Sequence, residues 1–155
     1  MTKLVNINKN LYCFKFTLAT DSVDEHNERF TQDSLYRMGQ LFLRRTGVLE
    51  VPGKTYYPRI FDTWMKKEGN TSKLIGLAYI YLDSKEEVDN VSLYLSNLNK
   101  CNISCSFNTK SCSICGCNQF KGRCNHELGK EYGNNHIKCI HELSDVVDVY
   151  TWHFI

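Results

Sequence analysis

The segment KLIGLAYIYL, residues 73–82, is a nearly continuous apolar run. It is short for a buried helix, and it is rich in β-branched and aromatic residues, as is typical of strands. We therefore predict a central β-strand at this position.

Further strands are predicted on both sides of this segment. Apolar and polar residues alternate over 11–19 and again over 101–107, which predicts two half-buried strands. We also predict a short strand over 48–51, a partly buried segment over 57–65 and a closing strand over 146–155.

Two helices are predicted between these strands. The first covers residues 31–46, where Thr31 or Asp33 can cap the start and Gly47 ends the helix. The second follows Ser84, which forms a capping box with Glu87. Each helix has an apolar stripe at helical spacing: Leu35, Met38, Leu41 and Phe42 in the first, and Val88, Val91, Leu95 and Leu98 in the second.

The order of these elements indicates the fold class. Strands and helices do not alternate regularly, which argues against a parallel sheet built from βαβ units. We predict an α+β fold with a small antiparallel β-barrel or sheet flanked by two helices. Residues 1–155 show no linker, repeat or low-complexity tract, so we predict a single domain.

Composition argues against several classes of protein. The chain has 155 residues, of which 42% are hydrophobic and 23% charged, and a net charge of +2. Such a balanced charge argues against a nucleic-acid binder, which usually shows a strongly basic surface. The first residues lack the apolar core of a signal peptide, and no run is long enough to span a bilayer. We therefore expect a reducing cytosol, where clustered cysteines bind metal more often than they form disulfides.

The stretch CSICGCNQFKGRCNH, residues 112–126, contains four of the chain's eight cysteines and one histidine. In the pattern C-x-x-C-G, two thiolates can reach one ion while the glycine takes the tight corner. A structural zinc site needs four nitrogen or sulfur ligands. We predict such a zinc site, which would order an insertion over residues 108–142.

Five residues are candidates for the four ligand positions. We predict Cys112, Cys115 and Cys124 as three ligands from their spacing. The fourth position stays open between His126 and Cys139.

Other cysteines and histidines are weaker candidates. Cys117 is too far from Cys112 in sequence for a good hairpin bite, and His136 and His141 fit exposed loop positions. The remaining cysteines fit strand patterns, where we predict small core residues: Cys13, Cys101 and Cys105.

Two alternatives to zinc are a disulfide pair and a thioredoxin-like redox motif. The redox motif needs C-x-x-C at a helix start in a βαβ setting, which the sequence does not show. A catalytic zinc would keep an open water position near a carboxylate such as Glu127 or Glu131. The cysteine-rich ligand set instead favours a structural site.

The pattern around these cysteines resembles that of proteins related to the prohead (head-maturation) protease of tailed phages and prophages of Gram-positive bacteria. The cysteine-rich insertion is its most specific part: NISCSFNTKSCSICG at 102–116, CNHELGKEY at 124–132, Cys139 and LSDVVDVYTWHFI at 143–155. Upstream, three stretches resemble the family's polar link and core strands: DEHNERFTQDSL at 24–35, RIFDTWMKKEG at 59–69 and LIGLAYIYL at 74–82.

This resemblance implies a small antiparallel β-barrel flanked by helices, shared with herpesvirus assembly proteases, and a serine nucleophile with a histidine base. Asn102 stands where the family has its serine, and an amide is no useful nucleophile. Ser104 is the substitute, about 7 Å further along the strand. The turn EVPGKTYYP, residues 50–58, lacks the family's histidine, and His26 does not match it either.

The resemblance therefore implies a phage virion structural or assembly protein, a pseudoenzyme on a degenerate prohead-protease-like fold. It would bind other phage structural or assembly proteins, in the virion or in the cytoplasm of the bacterial host. Neither a membrane nor nucleic acid is an expected partner. One alternative is an active maturation protease that pairs Ser104 or Cys105 with a histidine of the C-terminal half. The other is a zinc-containing module that binds nucleic acid.

Overall fold

The structure is a computed structural model and describes residues 2–98 and 100–154. Within these residues the strands and helices follow one another in this order: β1 (Leu4–Asn8), β2 (Leu11–Thr20), β3 (Glu28–Phe30), α1 (Gln32–Phe42), β4 (Leu49–Val51), β5 (Lys54–Tyr56), β6 (Arg59–Glu68), β7 (Thr71–Tyr81), α2 (Lys85–Asn97), β8 (Cys101–Cys112), β9 (Glu131–Tyr132), β10 (Ile137–Lys138) and β11 (His141–Phe154).

The first sheet has four antiparallel strands in the order β1-β2-β7-β6. The apolar run over 73–82 forms most of β7, which lies between β2 and β6, so the predicted central strand is confirmed. Phe14, Phe16 and Leu18 of β2 point to the buried face, as their alternation predicts.

The second sheet has three strands in the order β3-β11-β8. Strands β11 and β8 pair antiparallel over almost their whole length. Strand β3, in contrast, pairs parallel to β11, with Glu28 opposite His141. The sheets are therefore mostly, but not wholly, antiparallel. The predicted closing strand over 146–155 belongs to the longer β11, and its last position, Ile155, lies outside the described residues.

A short segment after α1 connects the two sheets. Thr46 forms an antiparallel bridge with Arg59 of β6, and Val48 forms a parallel bridge with His153 of β11. These two single-residue bridges link β6, at the edge of the first sheet, to β11 of the second sheet. Whether the sheets close into a barrel stays a prediction.

The core lies between the two sheets and centres on aromatic side chains. The ring of Trp152 is fully buried and stacks on Phe16 with ring centroids 4.8 Å apart. Its indole N–H donates to the carbonyl of Arg45 at 3.3 Å. Gly47 lies against this ring, and a Cβ there would come within 2.2 Å of it. The absence of a side chain at Gly47 thus serves packing.

Helix α1 packs on the inner side of β6 and β7 and against β11 of the second sheet. The Thr31 side chain accepts from the N–H of Ser34 and caps the helix, as predicted. The helix ends at Phe42, so the predicted end at Gly47 is wrong. The cause is Arg44, which has a φ of 69° and donates its N–H to the Ile60 carbonyl at 2.8 Å instead of continuing the helix.

Helix α2 begins with half of the predicted capping box. The Ser84 hydroxyl accepts from the N–H of Glu87 at 3.2 Å. The Glu87 carboxylate, however, accepts from the N–H of Asp83 rather than that of Ser84. Val91 and Leu95 are fully buried and hold the helix on the core.

In the described part of the chain, neither helix is long and apolar enough to cross a membrane.

Candidate metal centre

Residues 113–140, hereafter the metal segment, connect the end of β8 to the start of β11. Its base is closed by two hydrogen bonds between Ser113 and Ile140: the Ser113 N–H donates to the Ile140 carbonyl at 2.9 Å, and the Ile140 N–H donates to the Ser113 hydroxyl at 3.0 Å. Cys112 and Cys139, which directly precede the two residues of this base, are therefore held side by side.

A tight turn places Cys112 and Cys115 on the same side of the chain. The N–H of Gly116 donates to the Cys112 carbonyl at 2.8 Å, and the N–H of Cys112 donates to the Cys117 carbonyl at 3.0 Å. Gly116 has a φ of 73°, a conformation that glycine adopts without the strain of a Cβ. The C-x-x-C-G pattern thus forms a tight turn with the glycine at its corner, as its spacing predicts.

The structure brings four of the predicted ligands together: Cys112, Cys115, Cys124 and His126. Their ligand atoms all lie within 4.8 Å of one another, and Cys112 Sγ is 3.8 Å from His126 Nδ1. With Zn–S bonds of about 2.3 Å, the sulfurs of a tetrahedral site are about 3.8 Å apart. The four residues are close enough to bind one metal ion.

Backbone amides point at the sulfurs of this group. Burial opposes ionisation of Cys112, but the N–H groups of Cys115 and Ile114 donate to its sulfur and lower its pKa to about 7. The N–H and the ring of His126 likewise lower the pKa of Cys124. Thiolates are the form that binds metal, so these hydrogen bonds prepare the site for a cation.

Cys115 behaves differently in the same group. The N–H of Cys117 favours its thiolate, but burial and the neighbouring sulfurs outweigh this and raise the pKa of Cys115. Several thiolates in one place repel one another, and a divalent cation removes that repulsion.

Residues around the ligands fix their positions. The His126 ring packs edge-on against Tyr132, with ring centroids 4.7 Å apart, and the Tyr132 hydroxyl accepts from the N–H of Glu127. The Gln119 amide donates to the Cys124 sulfur at 3.5 Å and to the Cys117 carbonyl at 3.0 Å. Such outer contacts orient metal ligands and are part of a site's design.

Cys139, the other predicted candidate for the fourth position, lies beside this group. Its sulfur is 3.8 Å from Cys112 Sγ, and its side chain is fully buried. Burial and the neighbouring Cys112 raise the pKa of Cys139 to about 11, which favours a neutral thiol. His126, and not Cys139, belongs to the group whose ligand atoms all lie within 4.8 Å of one another, so the geometry favours His126 as the fourth ligand.

The weaker candidates lie outside the group of four. The thiol of Cys117 donates to the Gly122 carbonyl at 3.4 Å, and His136 is exposed beside Glu131. The prediction of an exposed loop position is wrong for His141, which is buried in β11 directly opposite Cys112. Burial, together with the nearby Lys110, lowers its pKa. His141 and Leu143 alternate with the less buried Glu142, as in a strand. This pattern could have shown that β11 begins before residue 146.

The residues matched to the protease nucleophile lie on β8, away from the metal segment. Asn102 is half-buried and pairs across the strands with His153, and Ser104 is exposed. Within the described residues, Ser104 forms no hydrogen bond with a histidine. Cys105 instead packs against the core, and burial raises its pKa, which disfavours the nucleophilic thiolate.

Comparison with the models of known protein families, with curated proteins and with solved structures gives no match for this chain.

Proposed function

We propose that the chain is a non-catalytic assembly protein of a phage, in which a structural zinc ion orders the metal segment for contact with other virion proteins. The observation that carries the zinc site is the convergence of Cys112, Cys115, Cys124 and His126 within 4.8 Å. Three sulfurs and one imidazole fill a tetrahedral zinc site and leave no position for a catalytic water.

The proposal of a protease-like fold without catalysis is supported by the arrangement of β8 and β11. The cysteine-rich insertion joins these two strands, as the resemblance to prohead-protease-related proteins implies. By that resemblance Asn102 replaces the family's serine, and a carboxamide cannot act as the nucleophile. We further propose that the two sheets form the small barrel of that family and that the protein acts in the virion or the host cytoplasm.

Zinc binding is tested by the metal content of matched cysteine variants. Cys124→Ser removes a proposed ligand, whereas Cys117→Ser removes a thiol that lies outside the group. We expect one zinc per chain in the parent and in Cys117→Ser, and strongly reduced zinc in Cys124→Ser. Equal zinc in both variants would contradict the site.

One observation favours a second function, an active protease with a rearranged dyad. His153 is exposed on the strand next to Ser104 and lies opposite Asn102 on the outward face. A histidine in that position could approach Ser104 and act as its base.

A serine-directed fluorophosphonate probe separates the two functions. We expect no labelling of the parent chain and no cleavage of casein or of co-expressed scaffold protein. Labelling that disappears in both Ser104→Ala and His153→Ala would establish the protease and overturn the non-catalytic assignment.

A further inference from the structure

The outward face of the four-stranded sheet is not covered by either helix. Helix α1 packs on the inner face, where Gly39 contacts Leu74 and accepts from the Thr63 hydroxyl through its carbonyl. Side chains alternate between the two faces of each strand, so the residues next to these point outward. On the outward face Trp64 lies opposite Ile75, and Lys66 lies opposite Lys73.

Several of these outward side chains are lysines around one tryptophan. We call Lys15, Thr17, Trp64, Lys66 and Lys73 the lysine–tryptophan face. They border a depression of about 410 Å³. The indole of Trp64 is 38% exposed, although its neighbour Ile75 is buried. The face thus combines an accessible aromatic ring with three ammonium groups.

The charge of this face is positive. Lys66 and Lys73 share a single carboxylate, that of Glu68, and the Lys66–Glu68 distance is 2.7 Å. These two lysines lower the pKa of Glu68 to about 2, so the carboxylate stays ionised between them. Lys15 has no acidic partner within the described ranges. The chain's balanced net charge therefore hides a local cationic surface.

Further aromatic residues continue from the face along β6 and β7. The Phe61 and Tyr79 rings lie 5.9 Å apart, and the Tyr79 and Tyr81 rings lie 6.1 Å apart. Phe61 is 44% and Tyr81 65% exposed. The fold assembles this row from separate strands, so it is not a continuous basic and aromatic stripe in the sequence.

We propose that the lysine–tryptophan face and this aromatic row bind single-stranded nucleic acid. Sequence-independent binders of single strands combine aromatic rings, on which bases stack, with cations that track the phosphates. Acidic side chains would satisfy the lysines but carry no aromatic base to stack on the exposed rings. The binding surface is separate from the metal segment and does not depend on the proposed function.

The test is the binding of fluorescein-labelled oligothymidylate and oligouridylate of about 20 nucleotides to the metal-loaded full chain. Fluorescence anisotropy is measured between about 50 and about 200 mM NaCl. We expect micromolar binding that weakens steeply with salt. Tighter binding of one oligonucleotide shows whether the surface prefers DNA or RNA. Binding of either one, or of both equally, supports the proposal that the lysine–tryptophan face binds single strands.

Variants locate the binding surface. We expect Trp64→Ala to weaken binding about tenfold, the effect of losing one stacked base, and Trp64→Phe to keep most of the affinity. Lys15→Ala should weaken binding and reduce the salt slope by about 0.7, because one phosphate contact is lost. Asp62→Asn, which removes an acid from the same face, should strengthen binding. Unchanged thermal unfolding shows that each variant is folded.

The matched control is an exposed aromatic residue elsewhere that also has cations beside it. Phe120 is 58% exposed in the metal segment and is followed by exposed Lys121. Phe120→Ala and Lys121→Ala should leave binding unchanged. Loss of binding in these variants rather than in Trp64→Ala would overturn the proposal, as would no binding at the lowest salt. Displacement of the oligonucleotide by polyglutamate at equal charge concentration would also overturn it, because it would show recognition of charge alone.

Discussion

The two sheets bury large apolar side chains between them, whereas the metal segment buries few. The sheets enclose Phe14, Ile60 and Trp152 almost completely. In the metal segment, as far as the structure describes the chain, the buried apolar residues are Cys139 and Ile140 at its end, while Leu128 and Ile137 are exposed. Apolar burial stabilises the first region, and on the proposed function the bound metal stabilises the second.

If zinc is bound as proposed, the chain has two independent sources of stability. Burial of a core contributes through many small contacts that are spread over the sheets. A metal site contributes through four ligands in one place, and its energy is lost at once when the ion leaves. Perturbations of the two regions should therefore have separable effects.

Metal removal should have the largest effect and be confined to one region. Structural zinc contributes on the order of 10 kcal/mol to the folding of small sites, so a strong chelator should unfold the metal segment and leave the sheets folded. We expect trypsin to cleave at the exposed Lys121 and Arg123 many times faster after chelation. Mass spectrometry identifies the cuts. Equal cleavage rates with and without chelator would show that metal does not stabilise the metal segment.

Truncation of the core should have the next largest effect, in the other region. Trp152 is fully buried and stacks on Phe16, so Trp152→Ala should lower the free energy of unfolding by about 3–5 kcal/mol. Urea denaturation measures this loss. The control is Trp64→Ala, which changes an exposed tryptophan and should cost far less. Zinc content should stay unchanged in both folded variants, and its loss in Trp152→Ala would show that the regions are coupled.

Acidification should have the smallest effect and again act on the metal segment. The folded-state pKa of Cys112 is lowered to about 7, so the contribution of its thiolate is fully present above the unfolded value of about 8.5 and is lost as the pH falls through 7. Protons compete with the metal for such thiolates. We expect zinc affinity to fall at least about tenfold between about pH 8 and pH 6, because one pH unit below a pKa costs tenfold.

Competition with a chromogenic chelator measures this affinity at each pH. The circular dichroism of the sheets should not change over the same range. A zinc affinity independent of pH would contradict thiolate ligation.

Strands and helix caps could be predicted from the sequence where they depend on residues that are close together in the chain. The apolar run over 73–82 and the alternation over 11–19 produced the expected strands, because burial of one or both faces leaves a direct periodic signature. The Thr31 cap was predictable for the same reason, since it depends on the neighbouring Ser34. Strands β1 and β3 were not predicted. β3 is a polar segment that becomes a strand by pairing with the distant β11.

Within the site, sequence spacing predicted the ligand pairs but not the choice between His126 and Cys139. Cys112 and Cys115 share one turn, so their meeting is a local property. The position of His126 depends on how the metal segment folds back on β8, where its ring packs against Tyr132. The lysine–tryptophan face could not be predicted either, since its residues come from three strands that only the sheet register brings together.

X-ray absorption at the zinc edge of the purified protein measures the ligand set of the proposed site. We expect a closed tetrahedral site with three sulfurs at about 2.3 Å and one imidazole nitrogen at about 2.0 Å. The spectrum of Cys139→Ser should be the same as that of the parent, and the nitrogen shell should disappear in His126→Ala. Four sulfur ligands would place Cys139 in the site instead of His126, and an oxygen from bound water would show an open, catalytic type of zinc. Either result would contradict the account.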